Sequence, residues 1–543
     1  MVSPELICAN WTSGSTDCEK TGRHGCKGCQ LVTYCSRRCQ ESHWHLHKPS
    51  CKSALRKNAW QPAWVLEHRT PAFMGDGPGT TIFGEKKYLW GNIPAFDVLR
   101  LDMNEGADYD GSLRVLFAAS GDLRNVVKTI AQLPSSYSGA IEITLNDRDF
   151  DIVARNIILL LVALVVDDVD IAVDCIIHLW YSAFIRESDL NILQQQVRPL
   201  IDEICMKTAA KLRHSFRVVL AKSAWSQLLQ SLDVSPGLDA QRAQAVRTNV
   251  TLAESRKDYR DRYLYCISPA HRVAYHKFRE DGLLVPFGFP RGEFQVPNPT
   301  IYRNSTTWPM PDNADPRHGW PAEEIERTST GRATADIYGK LFFYLRRTIS
   351  SFLTRLSSLN ASFKLLQESS FSRIDVSNIS DYGWLGIHRT LAYMIPLLQP
   401  PLANPHATLI TLFMNAVEEA MTAEERMREV PLHSASSRKL MQYLQPKPQS
   451  VSKHDPELVK FDMARDLVMD YDFVFDRYSN RLKFQEAAIP FDAAIKDTHT
   501  IINKWPYKLK LRPGQSGAQA EFDRCLGDGI SSKERYVEWR RTG

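Results

Sequence analysis

Two things are scarce in this chain of 543 residues: long apolar runs and, beyond residue 51, cysteine. The longest unbroken apolar stretch, Ile157 to Val166, is about half of the roughly twenty residues that a membrane-spanning helix needs. It reads instead as a buried helix of a soluble protein. Residues Met1 to Glu5 hold no basic region followed by an apolar stretch, so no secretory signal is read and an intracellular location, cytoplasmic or nuclear, is expected. Cys175, Cys205, Cys266 and Cys525 stand singly, which leaves them as inert thiols rather than a disulfide framework. Common enzyme signatures are missing too. There is no Ser-His-Asp order and no His-Glu-x-x-His, and Gly79-x4-Gly84 is followed by Glu85-Lys86 where a phosphate loop needs Lys-Ser/Thr.

What is present is a globular composition, 43% hydrophobic and 24% charged, which excludes wholesale disorder. The formal charge of +5 is carried by the first sixty residues, with nine Lys/Arg against four Asp/Glu. That segment also holds seven of the eleven cysteines. Clustering of this kind in an intracellular chain favours metal over disulfides. Seven thiolates around two dications remove three of the five surplus charges, so no nucleic-acid surface is demanded.

The candidate ligands are Cys8, Cys18, Cys26, Cys29, Cys35, Cys39, His47 and Cys51. Eight ligands make two tetrahedral zinc sites, and the close pairs Cys26-x2-Cys29, Cys35-x3-Cys39 and His47-x3-Cys51 suit knuckles that present two ligands from one side. Such a segment is too small to bury a sufficient core, so zinc must supply the folding energy. His43 and His45 compete with His47, but only His47 forms a close pair with Cys51.

From Cys26 through Tyr34-Cys35-Ser36, Cys39-Gln40, Trp44 and His47-Lys48 to Cys51, the chain resembles the MYND zinc finger. The resemblance implies interleaved sites: Cys8, Cys18, Cys35 and Cys39 around one zinc, and Cys26, Cys29, His47 and Cys51 around the other. It departs at the start, where the family's usual Cys-x2-Cys would place a ligand at Trp11; the next cysteine is Cys18, and His24 is the alternative. It also implies docking of short proline-containing peptides beside the helix, with Gln40 and Trp44 lining the contact. The other reading of Trp44 is a cap on the finger's small core. The position that is serine in a relative is Lys27 here, so no peptide preference carries over.

Beyond the finger, Leu113 to Ala119, the turn Ser120-Gly121-Asp122, a helical pattern to Leu133 and Ala140 to Leu145 read as strand, helix, strand. A second such unit runs through Ile374 to Ser377, Leu391 to Leu398 and Ala407 to Met414. The eight prolines between Pro286 and Pro321 argue for a long surface loop or insertion. Trp90-Gly91-Asn92, Asn104-Glu105-Gly106, Ser120 to Asn125 and Asn146 to Asp149 are similar to a domain of unassigned function. That domain follows MYND fingers in fungal proteins and is shared with the dynein axonemal assembly factor family.

The expected fold class is α/β: a zinc-bound finger, then a large methyltransferase-like Rossmann domain with helical insertions. The expected divisions are a finger at 1–55, a linker at 56–87 and the α/β domain at 88–433 with a helical insertion at about 186–360. A polar linker at 434–454 and a C-terminal region at 455–543 packed on the main domain complete the chain. Gly121 and Asp147 occupy the places where such a domain meets a nucleotide, yet the glycine signature is reduced to Gly121 alone. Three readings stand: an S-adenosylmethionine site, a degenerate scaffold, or a plain strand-to-helix turn with a capping acid. The scaffold is preferred, which makes the protein an adaptor that takes a protein partner through its finger, with a methyltransferase as the alternative. Nucleic-acid contact by the finger and Trp505 to Arg512 is the weakest reading, since a solvated basic edge explains both. The sequence specifies no oligomeric state.

Overall fold

The structure is a computed structural model and describes residues 6–11, 18–74, 83–205, 215–217, 222–359, 361–364, 370–429, 433–444, 452, 454–528 and 531–543. A hairpin of β1 (His24–Gly25) and β2 (Thr33–Tyr34) leads into the helix Arg37–Cys51, which Ser36 caps by accepting the Cys39 amide. The body is built on one sheet whose strands come from distant parts of the chain. They are β3 (Leu113–Ala118) and β4 (Ile141–Asn146), then β6 (Ser215–Arg217), β8 (Ala361–Lys364), β9 (Arg373–Asp375), β10 (Thr408–Phe413), β11 (Ala493–Ile495) and β12 (Arg535–Arg541). A separate antiparallel pair joins β5 (Phe184–Arg186) to β7 (Phe294–Pro297).

Across the large sheet the order is β6-β8-β4-β3-β9-β10-β12-β11. All neighbours from β6 to β10 are parallel, and β12 runs antiparallel between β10 and β11. The central strands are buried along most of their length because both faces are covered. Alternate residues go to opposite cores: Leu113, Val115 and Phe117 of β3 face one, and Leu116 and Ala118 face the other. In β10 the same alternation sends Ile410 and Leu412 one way and Leu409 and Phe413 the other.

The first core is closed by the helices Arg124–Gln132, Phe150–Val165, Val169–Tyr181 and Ile337–Ser358. The apolar run of the sequence forms the C-terminal half of Phe150–Val165 and its cap Val166, and the helix starts at Asp149, which accepts the Asp151 amide. Among the described residues no helix is long and apolar enough to cross a membrane. The second core lies under Ile387–Met394, Asp472–Arg481 and Phe484–Ala488.

The proline-rich stretch differs from expectation. It does not run over the surface: Phe294, Val296, Ile301, Tyr302, Trp308, Met310 and Trp320 are all buried. Buried irregular backbone needs partners for its polar groups, and Asn298 supplies several. Its amide donates to the carbonyls of Leu179 (2.9 Å) and Ser182 (2.8 Å), and its side-chain oxygen accepts the Thr300 amide. The residues between finger and body are also packed. Trp64 is buried with its indole on the His454 carbonyl, and Asp258 holds Arg69 by two bonds. Residues 75–82 of the expected linker lie outside the described residues.

Candidate zinc centres and the carboxyl edge of the sheet

Cys8, Cys18, Cys35 and Cys39 converge in the finger, as do Cys26, Cys29, His47 and Cys51, with the ligand atoms of each set within 4.8 Å of one another. A tetrahedral zinc about 2.3 Å from each sulfur separates the sulfurs by about 3.8 Å. The separations fit: Cys18 to Cys35 is 3.5 Å, Cys35 to Cys39 is 3.4 Å, Cys26 to Cys51 is 3.8 Å, and Cys29 Sγ to His47 Nε2 is 3.3 Å. The donor set suits zinc, three or four soft sulfurs with at most one imidazole. Two Cys/His clusters therefore fit two zinc sites, interleaved along the chain.

Local chain geometry explains the convergence. The Cys26 carbonyl accepts the amides of Cys29 and Gln30, and Gln30 takes a positive φ of 56° to close the knuckle. The Leu31 amide and the Gln40 side-chain nitrogen point at the sulfurs of Cys29 and Cys26, as donors to thiolates do. His24 is exposed on β1 and Cys18 joins the first cluster. His43 is held by the Tyr34 hydroxyl at 3.0 Å, and His45 by the Ser42 carbonyl. Two supporting residues escaped the sequence reading. A Cβ on Gly28 would stand 2.9 Å from Cys51 Sγ, and Arg56 bonds the carbonyls of Cys51 and Gly28. Gly28 was readable as the only residue small enough inside Cys26-x2-Cys29; Arg56 carried no motif.

The finger is seated on the body. Trp11 Nε1 donates to the Gly288 carbonyl (2.6 Å), the Ala335 amide to the Gln30 carbonyl (3.0 Å), and Thr334 Oγ1 bonds Gln30 Oε1. Gly25 passes so close to Arg332 that a Cβ would lie 2.7 Å from its carbonyl oxygen. Gln40 and Trp44 are half-buried on the helix, with the indole edge-on to His47 at 6.0 Å.

At the carboxyl edge of the sheet, Gly121 has φ 56° with open space where a Cβ would be, so the glycine answers to backbone conformation. Its amide donates to Asp147 Oδ2 (3.0 Å), while Asp147 Oδ1 accepts the Asp149 amide (3.0 Å) and Asn156 donates to the Gly121 carbonyl (2.7 Å). The acid and the amide that would meet a ribose and a neighbouring ligand oxygen are thus bonded to each other. Asp122 stands one residue before the helix cap, Leu123. It is buried, accepts the Gly91 amide, and pairs with Arg124, which reaches the Ile93 and Gly319 carbonyls. Nearby, Arg148 lies over Trp384 at 5.2 Å, and Asp149 meets Lys87.

From β9, Asp375 accepts the Asn125 side chain (2.9 Å) and the Ser377 amide (3.1 Å), and burial raises its carboxyl above the ordinary range. Asp381 ties the following loop to the end of β10, accepting the amides of Met414 and Asn415; burial pushes its carboxyl up to about 7. Trp505 is covered by Arg535 at 4.0 Å and Lys508 at 4.6 Å, which leaves no open stacking platform in the aromatic-basic segment.

Residues 16–51 match the family model of the MYND finger, and residues 89–185 match that of a domain of unknown function, DUF4470. No curated protein and no solved structure matches the chain.

Proposed function

We propose that this protein is a zinc-dependent adaptor. Its finger docks short proline-containing peptides of a partner across Gln40 and Trp44, and its large body serves as a scaffold or assembly factor inside the cell. One observation carries the docking site: Gln40 donates to Cys26 Sγ at 3.8 Å. That bond holds the side-chain amide through its nitrogen, so the oxygen is the atom that would accept an amide from an extended peptide. The zinc centres build this surface without taking part in chemistry, because four protein ligands close each one. Pull-down of partners from cell extract tests the reading: Trp44→Ala and zinc chelation should each abolish capture. Capture unchanged by both would remove the finger from the role.

The sheet supports a second reading, an S-adenosylmethionine-dependent methyltransferase. Leaving out the edge strand β6, the parallel strands run third, second, first, fourth, fifth in chain order, the doubly wound arrangement. Its ligand crevice would open between β3 and β9, beside Gly121 and Ser377. Against it stands the internal use of Gly121 and Asp147 by one another. Calorimetry with S-adenosylmethionine separates the two readings, since an adaptor gives no heat of binding and a methyltransferase gives heat that Asp147→Ala removes.

A further inference from the structure

The body packs against the hairpin of the finger through Gly25, Gln30 and Trp11 and leaves the helix open to a partner. On that side, three- and four-residue spacing lines up Arg37, Gln40, Trp44 and Lys48. Cations therefore stand at both ends of the Gln40–Trp44 pair. The Arg37 side chain is 90% exposed, and its pair with Glu41 across 2.8 Å is an exposed i,i+4 contact that a partner can replace. Arg38, Lys48, Lys52 and, from the knuckle, Lys27 are exposed as well. Glu41 is the only acid in the helix.

From this charge pattern we infer that the helix face takes a proline-containing segment flanked by acidic residues. The inference rests on the adaptor reading and adds the chemical class of the partner. Apolar contact with Trp44 and one bond to the Gln40 oxygen hold the centre of the segment. Carboxylates on either side meet Arg37 and Arg38 at one end and Lys48 and Lys52 at the other. A nucleic acid would be held by the cations alone, without using the Gln40–Trp44 pair that lies between them.

The test uses the full zinc-loaded chain and fluorescently labelled peptides with a central run of prolines, flanked by glutamates, by glutamines or by lysines. The glutamate peptide should bind about tenfold tighter than the glutamine peptide at low salt, with the gap closing at high salt, and the lysine peptide should bind weakest. Combining Arg37→Gln with Lys48→Gln should close the gap, with the glutamate peptide losing its tenfold advantage over the glutamine peptide. Equal affinity for glutamate and glutamine peptides, with both lost in Trp44→Ala, would overturn the acidic preference and leave the adaptor standing. No binding by any peptide, or binding indifferent to Trp44→Ala, would overturn both. An oligonucleotide that displaces the glutamate peptide and outbinds it would assign the face to nucleic acid instead.

Discussion

The backbone amide of Ala335 donates to the carbonyl of Gln30 over 3.0 Å, which bonds the zinc knuckle to the start of a 22-residue helix. The next residue, Asp336, caps that helix by accepting the Gly339 amide at 2.8 Å, and also accepts the Phe287 amide at 2.6 Å. Phe287 precedes the Gly288 that receives Trp11. Knuckle, helix cap and proline-rich segment therefore form one connected unit. Chelating zinc should raise deuterium uptake around residues 286–292 and 333–339 as well as in the finger. Uptake confined to residues 18–51 would show that the finger merely rests on the body.

Gly28 has no room for a side chain beside Cys51. Gly28→Ala pushes a methyl group against the ligand sulfur, so zinc affinity should fall about 10–100-fold, the usual cost of disturbing residues that support a metal ligand. Competition with a chromogenic chelator measures it, and an affinity within twofold of the parent would contradict the packing described.

Glu105 and Arg373 form an ion pair at 2.7 Å, their side chains 3% and 0% exposed. Removing one partner strands a buried charge in the middle of the sheet. Glu105→Ala should therefore cost about 3–5 kcal/mol in urea unfolding. A loss below about 1 kcal/mol would mean that the carbonyls of Leu99 and Ser372, which Arg373 also reaches, hold the guanidinium alone.

Asp381 gives a pH dependence with a definite sign. Its carboxyl ionises near pH 4 in an unfolded chain, whereas burial moves it to about 7 in the fold, against the opposing pull of the Met414 and Asn415 amides. The folded state holds the extra proton between these values, so this group's contribution to stability falls as pH rises from about 4 to 7. Asp381→Asn has no such proton. The stability of the parent relative to the variant should fall between pH 5 and pH 8 in paired urea titrations, and a constant difference would reject the assignment.

The zinc ligands were legible because metal chemistry imposes short fixed spacings, and β3, β4, β9 and β10 because short stretches rich in β-branched and other apolar residues lie between turn signals. β12 was not. Arg535 and Glu538 make its sequence look like a solvated strand, yet both are buried. Glu538 accepts the amides of Ile501 and Ile502 and pairs with Lys496 at 3.0 Å, while Arg535 lies against Trp505. Charge satisfied by distant partners leaves no periodic trace. The proline-rich segment misled for a similar reason: the groups that make its burial tolerable belong largely to Asn298 and to carbonyls more than a hundred residues away. Gly121 and Asp147 were placed correctly at the sheet edge, but no spacing could reveal that they would bond to each other.

The position of β12 also dictates the order in which the sheet can be completed. This strand fills the gap between β10 and β11, and β8 reaches β4 only after some two hundred intervening residues have folded. A nascent chain that has emerged from the ribosome only as far as β11 therefore exposes the unpaired edge of β10, a strand buried throughout in the finished fold, until residues 535–541 arrive. Synthesis passes through a long interval in which all eight zinc ligands, none of them beyond residue 51, are already out while the body still has an open flank.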